Sequence, residues 1–185
     1  MMHDYLPKIF YFISEFNPEH IRKLDKKIAI IYRNYNIKND TKLILEIKDS
    51  CRKDGRKFFI SNNVKLAKNL SLDGVYLPAF NKSLNLFTTN MKKEFMIIGS
   101  AHSIQEIKIK EKQGVNAIFI APLFKTKKNK NFLNLVKFNL LALKTTQNII
   151  ALGGITVKNL KQIRMTKSYG FAGISYFKEC NKVEI

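Results

Sequence analysis

The sequence is poor in the residues that build metal and redox centres. It holds two cysteines, Cys51 and Cys180, and three histidines, His3, His20 and His102, with no metal-type spacing among them. No disulfide framework is expected, and the chain reads as a cytoplasmic domain. Long apolar runs are missing as well. The longest, Ala117 to Phe124 with Pro122 counted in, falls far short of the roughly 18 residues that span a bilayer. The amino-terminal MMHDYLPKIFYF lacks a basic leader, a long apolar segment and a small-residue cleavage site, so no secretory signal and no membrane partner are expected. No Pro/Ser-rich linker breaks the chain, which predicts a single domain over residues 1–185.

Acidic residues are the other shortage: 14 Asp and Glu stand against 33 Lys and Arg, for a formal charge of +19. Such an excess raises nucleic acid as a partner. Against it, only five of the cations are Arg, the residue suited to bidentate phosphate and guanine contacts. The lysines are also spread along the chain, and Asn and Ile are frequent, as AT-rich coding produces without selection for binding. A solvated lysine-rich surface is the expectation, not a nucleic-acid arm. With 45% apolar and 11% aromatic residues the chain can bury a core.

Eight short apolar runs carry the pattern: Ile9–Ile13, Ile28–Tyr32, Phe58–Ile60, Gly74–Leu77, Phe95–Ile98, Ala117–Ala121, Ile149–Leu152 and Phe171–Ser175. Runs this short and continuously apolar fit strands buried on both faces. Their starts lie 16 to 32 residues apart, room for a crossover helix in each gap. Leu43, Ile44, Ile47 and Cys51 recur at helical spacing. Ser103 and Glu106 form a capping box, and Gly114 closes that helix. Leu133, Val136, Leu140 and Leu143 give another apolar stripe, and Val157, Leu160 and Ile163 a third. Eight alternating units predict an α/β fold, a compact (β/α)8 TIM barrel, with an open doubly wound sheet as the competitor. The usual barrel has about 250 residues, and here the shortage falls at the ends. Only PEHIRKL follows the first run and KECNKVEI the last, so the first and last helices are short.

In such a barrel the reactive face is the C-terminal end of the strands. The residues there include Ser14-Glu15, Arg33-Asn34, Ser61-Asn62-Asn63, Ser100-Ala101-His102-Ser103, Pro122 to Lys130, Gly153-Gly154 and Lys178-Glu179, a cation-rich rim with few carboxylates. Gly153 and Gly154 let the backbone approach a ligand, and a helix beginning near Val157 would offer N–H groups to a phosphate; a plain tight turn is the other reading. The loop Ala121 to Lys130 carries Thr126 as a hydroxyl donor and Lys127 and Lys128 among its four lysines, and reads equally as a polyanion clamp or a solvated basic loop. His102 could serve as acid or base, or as a structural hydrogen-bonder. Cys51 reads as a small buried side chain.

The ordered pieces D-G-V-x-L (Asp73 to Leu77), S-x-H-S (Ser100 to Ser103), P-x-F-x-T (Pro122 to Thr126), A-x-G-G-I (Ala151 to Ile155) and G-x-x-G-I (Gly170 to Ile174) resemble the thiamine phosphate synthase/TenI family of barrels over about residues 8 to 178. The resemblance implies a transferase that joins hydroxymethylpyrimidine diphosphate to thiazole phosphate, releasing diphosphate, with Mg²⁺ present. It assigns Arg33 to the diphosphate, Ser100 and Thr126 to hydroxyl donors, and the Gly153-Gly154 amides to the thiazole phosphate. Ser100 and His102 are the candidate catalytic residues. Ser61-Asn62-Asn63 stands where the family has N-D-R, so Asn62 replaces one metal-binding aspartate and the second falls near Asn81. No metal ligand is assigned, and Lys127, Lys128 or Lys130 are expected to supply charge in the metal's place. Tyr35 and Tyr76 replace a family lysine and histidine, while Pro122 replaces the tautomerase-branch histidine and argues against that branch. The alternative activity is a non-catalytic barrel that binds a phosphorylated thiamine precursor or product. A barrel with a curtailed last unit would bare apolar strand surface, so a homodimer is expected.

Overall fold

The computed structural model describes residues 6–35, 40–85, 94–126 and 131–179. The apolar runs form strands β1 (Ile9–Ile13), β2 (Ile28–Tyr32), β3 (Phe58–Ser61), β4 (Gly74–Leu77), β5 (Met96–Ala101), β6 (Ala117–Ile120), β7 (Asn148–Leu152) and β8 (Gly170–Gly173). Each pairs in parallel with the next, and β8 returns to β1 through Ile9–Phe171, Phe10–Ala172 and Tyr11–Gly173. The barrel is closed, which excludes the open sheet. Strand ends moved in two informative places. β5 runs on through Ser100 and Ala101, so Ser100 belongs to the barrel wall. β8 stops at Gly173, and Ser175 begins a helix.

Alternation along each strand separates two cores. Phe10, Phe12, Ala29, Ile31, Phe59, Tyr76, Ile98, Phe119, Ile150 and Ala172 are among the residues that fill the barrel. Their neighbours, such as Tyr11, Ile30, Ile60 and Val75, face the helices. The interior is aromatic: Phe10 meets Phe119 at 5.0 Å and Phe12 meets Tyr76 at 5.0 Å, both edge to face. Ala29, Ala117 and Ala172 leave these rings room. Each buried Phe contributes about 1.5–3 kcal/mol of transfer free energy.

Among the described residues six helices surround the strands: α1 (Pro18–Arg22), α2 (Thr41–Lys53), α3 (Val64–Asn69), α4 (Ile104–Lys112), α5 (Asn134–Ala142) and α6 (Ser175–Glu179). In α2 the expected stripe is inward, with Ile44, Ile47 and Cys51 buried, and Asp40 caps the helix by accepting from the Lys42 and Leu43 amides. The capping box of α4 forms in altered shape: Ser103 accepts from the Glu106 amide at 3.3 Å, while the Glu106 carboxylate accepts from the amide of His102 instead of that of Ser103. On α5 the expected apolar stripe is reversed, because Phe138 and Ala142 face the barrel and Val136, Leu140 and Leu143 lie exposed. After β7 the chain makes only a six-residue 3-10 turn, Leu160–Met165, with Val157 outside it and exposed.

The first and last helices are short, five residues each, as expected. The last one nevertheless closes its seam. Phe177 packs parallel to Phe171 at 6.2 Å and lies 4.8 Å from Tyr11, and Tyr176 and Phe177 are both buried. The surface expected to be bare is therefore covered, while α5 carries exposed Val136, Leu140 and Leu143. At the opposite end of the barrel the buried Arg56 binds the carbonyls of Ile21, Leu24, Asp25 and Ile28, tying α1 to β2. No helix among the described residues is long and apolar enough to cross a membrane.

Candidate active site

β2 ends at Tyr32, and the next residue, Arg33, turns over the mouth with its amide donated to the Ile13 carbonyl at 2.8 Å. Its guanidinium lies 4.9 Å from the centre of the Phe12 ring, whose face stabilises the cation by about 0.5–1 kcal/mol. Beside it, Tyr76 reaches up from β4 and donates its hydroxyl to Ser100 Oγ at 2.8 Å. Burial pushes the Tyr76 phenol up to about 12, although its bond to Ser100 and the nearby Arg33 charge pull the other way. Tyr76 therefore stays a donor across neutral pH. Because Ser100 accepts that proton, its own O–H is available to a ligand.

Arg33 lines a cavity of about 550 Å³ together with Phe12, Ser14, Glu15, His20 and Lys178. A second cavity of about 470 Å³ is lined by Lys125, Thr126, Gly153, Gly154, Thr156 and Ser175. Ile174 borders both, so the two adjoin on one mouth. The glycine turn is forced. Gly153 and Gly154 have φ of +97° and +69°, and a Cβ on Gly154 would lie 2.5 Å from the carbonyl oxygens of both Phe124 and Lys125. The β6 loop packs into that space, with the Leu123 and Phe124 amides donating to the carbonyls of Leu152 and Gly153. Asn159 braces the turn from outside: Oδ1 accepts from the Thr156 amide at 2.9 Å, and Nδ2 donates to the Gly154 carbonyl at 2.8 Å. The Thr156 amide is thus engaged, and the 3-10 turn that follows contributes no N–H to the cavity wall. The amides of Gly153, Gly154 and Ile155 have no acceptor among the described residues.

The remaining candidates divide. Ser61 shares a 3.2 Å hydrogen bond with the Tyr35 hydroxyl at the mouth. Asn62, with φ of +61°, accepts at Oδ1 from Asn81 Nδ2 at 2.7 Å. Asn63 caps α3, accepting from the Leu66 amide at 2.9 Å, which is a structural role. His102 donates from Nδ1 to the Ala121 carbonyl at 2.7 Å, since a carbonyl can only accept. It ties β5 to the β6 loop and, like Ser100 and Asn62, it stands outside the lining of both cavities. Lys127, Lys128 and Lys130 lie outside the described residues. Two participants were not foreseen: Asn159 and the Tyr35–Ser61 bond. Asn159 carried a signal, an Asn five residues beyond the glycine pair that could fold back on the turn. Tyr35 carried none.

Residues 22–177 match the family model described as Thiamine monophosphate synthase. The chain belongs to the thiamine monophosphate synthase family. It is 31% identical over 142 residues to the putative thiamine-phosphate synthase 2 of Aquifex aeolicus, covering 75% of each chain. To the thiamine-phosphate synthase of Prochlorococcus marinus it is 30% identical over 161 residues, 82% of this chain and 46% of that longer protein. A solved thiamine phosphate pyrophosphorylase from Pyrococcus furiosus superposes with a TM-score of 0.73 at 22% identity, covering 91% of this chain and 86% of that one, which bears on the fold alone. The function is accordingly thiamine-phosphate-synthase-like, that of a transferase.

Magnesium, which the family implies, does not fit the residues present. Mg²⁺ is held by carboxylates together with water and phosphate oxygens. At the two positions in question stand amides, already bonded to each other. Among the described residues no three of His, Cys, Asp or Glu gather into a potential metal site.

Proposed function

We propose that this family member joins hydroxymethylpyrimidine diphosphate to thiazole phosphate across the two adjoining cavities. The observation that carries the reading is the placement of Arg33 and the Gly153-Gly154 turn on one mouth, with Ile174 as the shared wall. In this reading the thiazole phosphate sits against the glycine amides, with Lys125 and Thr126 beside it. The diphosphate sits toward Arg33 and the Ser100 hydroxyl. The bond from the pyrimidine methylene carbon to the diphosphate oxygen breaks, and its electron pair leaves with the diphosphate. The thiazole nitrogen then supplies the pair that forms the new carbon–nitrogen bond. The chain's part is electrostatic: donors fixed in advance meet charge as it develops on the leaving group. His102 fixes the β6 loop in this account, and Ser100, whose own proton the Tyr76 bond leaves free, is the hydroxyl donor.

The product is thiamine phosphate, and its formation from the two purified substrates tests the reading. Turnover that Arg33→Met lowers about 100-fold supports it. Tight binding of both substrates without product overturns turnover in favour of a binding barrel. The reading also places the enzyme in the cytoplasm as one domain and pairs it as a homodimer through the exposed Val136, Leu140 and Leu143 face of α5. A single-chain mass in solution overturns that pairing.

A further inference from the structure

The corner of the mouth between β3 and β4 has a polarity that can be read from its hydrogen bonds. Ser83 donates its main-chain amide to Asn81 Oδ1 at 3.1 Å. A backbone N–H can only donate, so this bond fixes which end of the Asn81 amide is oxygen. Gln113 Nε2 approaches the same oxygen at 3.4 Å, and the Asn81 main-chain carbonyl is held by Lys110 Nζ at 2.8 Å and by Gln113 Nε2 at 3.1 Å. Asn81 is therefore clamped with Nδ2 toward Asn62. Asn62 must answer with its oxygen, which it does at 2.7 Å. Its own Nδ2 is left with two protons and no acceptor among the described residues.

Two amides thus engage their oxygens inward and present N–H groups outward. A cation requires the reverse. The surrounding groups agree in sign: Arg33 stands at the adjacent strand end, and the Ser100 hydroxyl has its proton to give. The φ of +61° at Asn62 also suits Asn, Asp and Gly, so the backbone alone does not select the amide.

The geometry points to a metal-free anion site: Asn62 Nδ2, oriented by Asn81, together with Arg33, binds the diphosphate oxygens of the substrate directly, with no divalent cation between. This inference rests on the proposed function, since that reading brings a diphosphate to this mouth. The clamp reaches the site from α4, because Lys110 and Gln113 hold Asn81, which makes Lys110 a positioning residue and not a contact.

Calorimetric titration of the wild-type chain with inorganic diphosphate, once in EDTA and once in excess Mg²⁺, tests it. The expected result is binding in EDTA at least as tight as in Mg²⁺. Asn62→Asp, which keeps the left-handed backbone but replaces the donor with a negative acceptor, is expected to weaken binding in EDTA about tenfold or more. Asn62→Gly, which removes the donor without adding charge, is expected to weaken it less, and equally in both media. Diphosphate binding that requires Mg²⁺ overturns the inference and leaves the proposed function standing. Unchanged affinity in both Asn62 variants also overturns the inference. Absence of diphosphate binding in either medium overturns the proposed function itself, and the inference with it.

Discussion

Between β6 and β8 the mouth is built from backbone, whereas between β2 and β5 it is built from side chains. On the first side the groups at the cavity are amides at Gly153 and Gly154, fixed by positive φ and by the β6 loop packed against them. On the second they are the guanidinium of Arg33, the hydroxyl of Ser100 and the amide of Asn62, each directed by a neighbour: Phe12, Tyr76 and Asn81. A backbone donor is lost only when the chain path moves. A side-chain donor can change sign with a single substitution, and Asn for Asp is such a change. Under the proposed function, the half given to the thiazole phosphate is consequently the rigid one, and the half given to the diphosphate is the one in which chemistry can drift.

The largest effect is expected from breaking the backbone side. Gly154→Ala places a Cβ 2.5 Å from two carbonyl oxygens at φ of +69°. The β6 loop must move, and binding of a thiazole phosphate is expected to fall about 100-fold, with about 2–3 kcal/mol lost in stability. Gly55→Ala separates the causes. Gly55 has φ of +67°, but a Cβ there would meet no other atom within 4 Å, so only the backbone cost of about 1–2 kcal/mol is expected. Equal losses in the two variants by chemical denaturation would show that loop packing does not matter.

Arg33→Met comes next. It removes the guanidinium from the side-chain half while keeping apolar contact with Phe12. The value of kcat/KM for the diphosphate substrate is expected to fall about 100-fold. Stability should change by no more than about 1 kcal/mol. A fall in thiazole-phosphate affinity of the same size would erase the distinction between the two halves.

That distinction also explains what could be read before the structure. The strands were legible because runs such as Ile28–Tyr32 and Ala117–Ile120 are apolar on both faces, and only a doubly covered sheet buries such runs. The glycine turn was legible because a φ that excludes side chains leaves a mark in the residue type. The α5 stripe misled because that helix is apolar nearly all round, so periodicity could not say which face turns inward; Phe138 and Ala142 won over Val136 and Leu140. On the side-chain half, Arg33, Ser61 and Asn62 could be named but not oriented. Whether Asn62 offers oxygen or nitrogen depends on Ser83 and Gln113, far along the chain.

Tyr76→Phe sharpens the comparison at smaller scale. It deletes the proton that directs Ser100, leaving both rings of the Phe12–Tyr76 contact in place. A loss of about 1–2 kcal/mol in kcat/KM terms is expected. In the double variant with Ser100→Ala the effects should not add, since both act through one hydroxyl. Full additivity in kinetic measurements would separate Tyr76 from Ser100.

The smallest effect concerns Lys110, the buried cation behind Asn81. Its ammonium donates to the Pro78 and Asn81 carbonyls and to Gln113 Oε1. Burial nevertheless pushes its pKa down to about 8 from 10.5, with the Glu106 charge opposing the shift. Between those two values the folded chain holds fewer protons at this site than the unfolded chain. The contribution of Lys110 to stability therefore rises with pH across that window and is flat below it. Denaturation of wild type and Lys110→Met at pH 7 and pH 10 should show the difference shifting in favour of wild type at the higher pH. Over the same range the deprotonated amine gives up one of its three donated bonds, so Asn81 is held less firmly and diphosphate affinity should decline while the fold gains. A parallel rise in stability and affinity would mean that the clamp from α4 does not orient the amide pair.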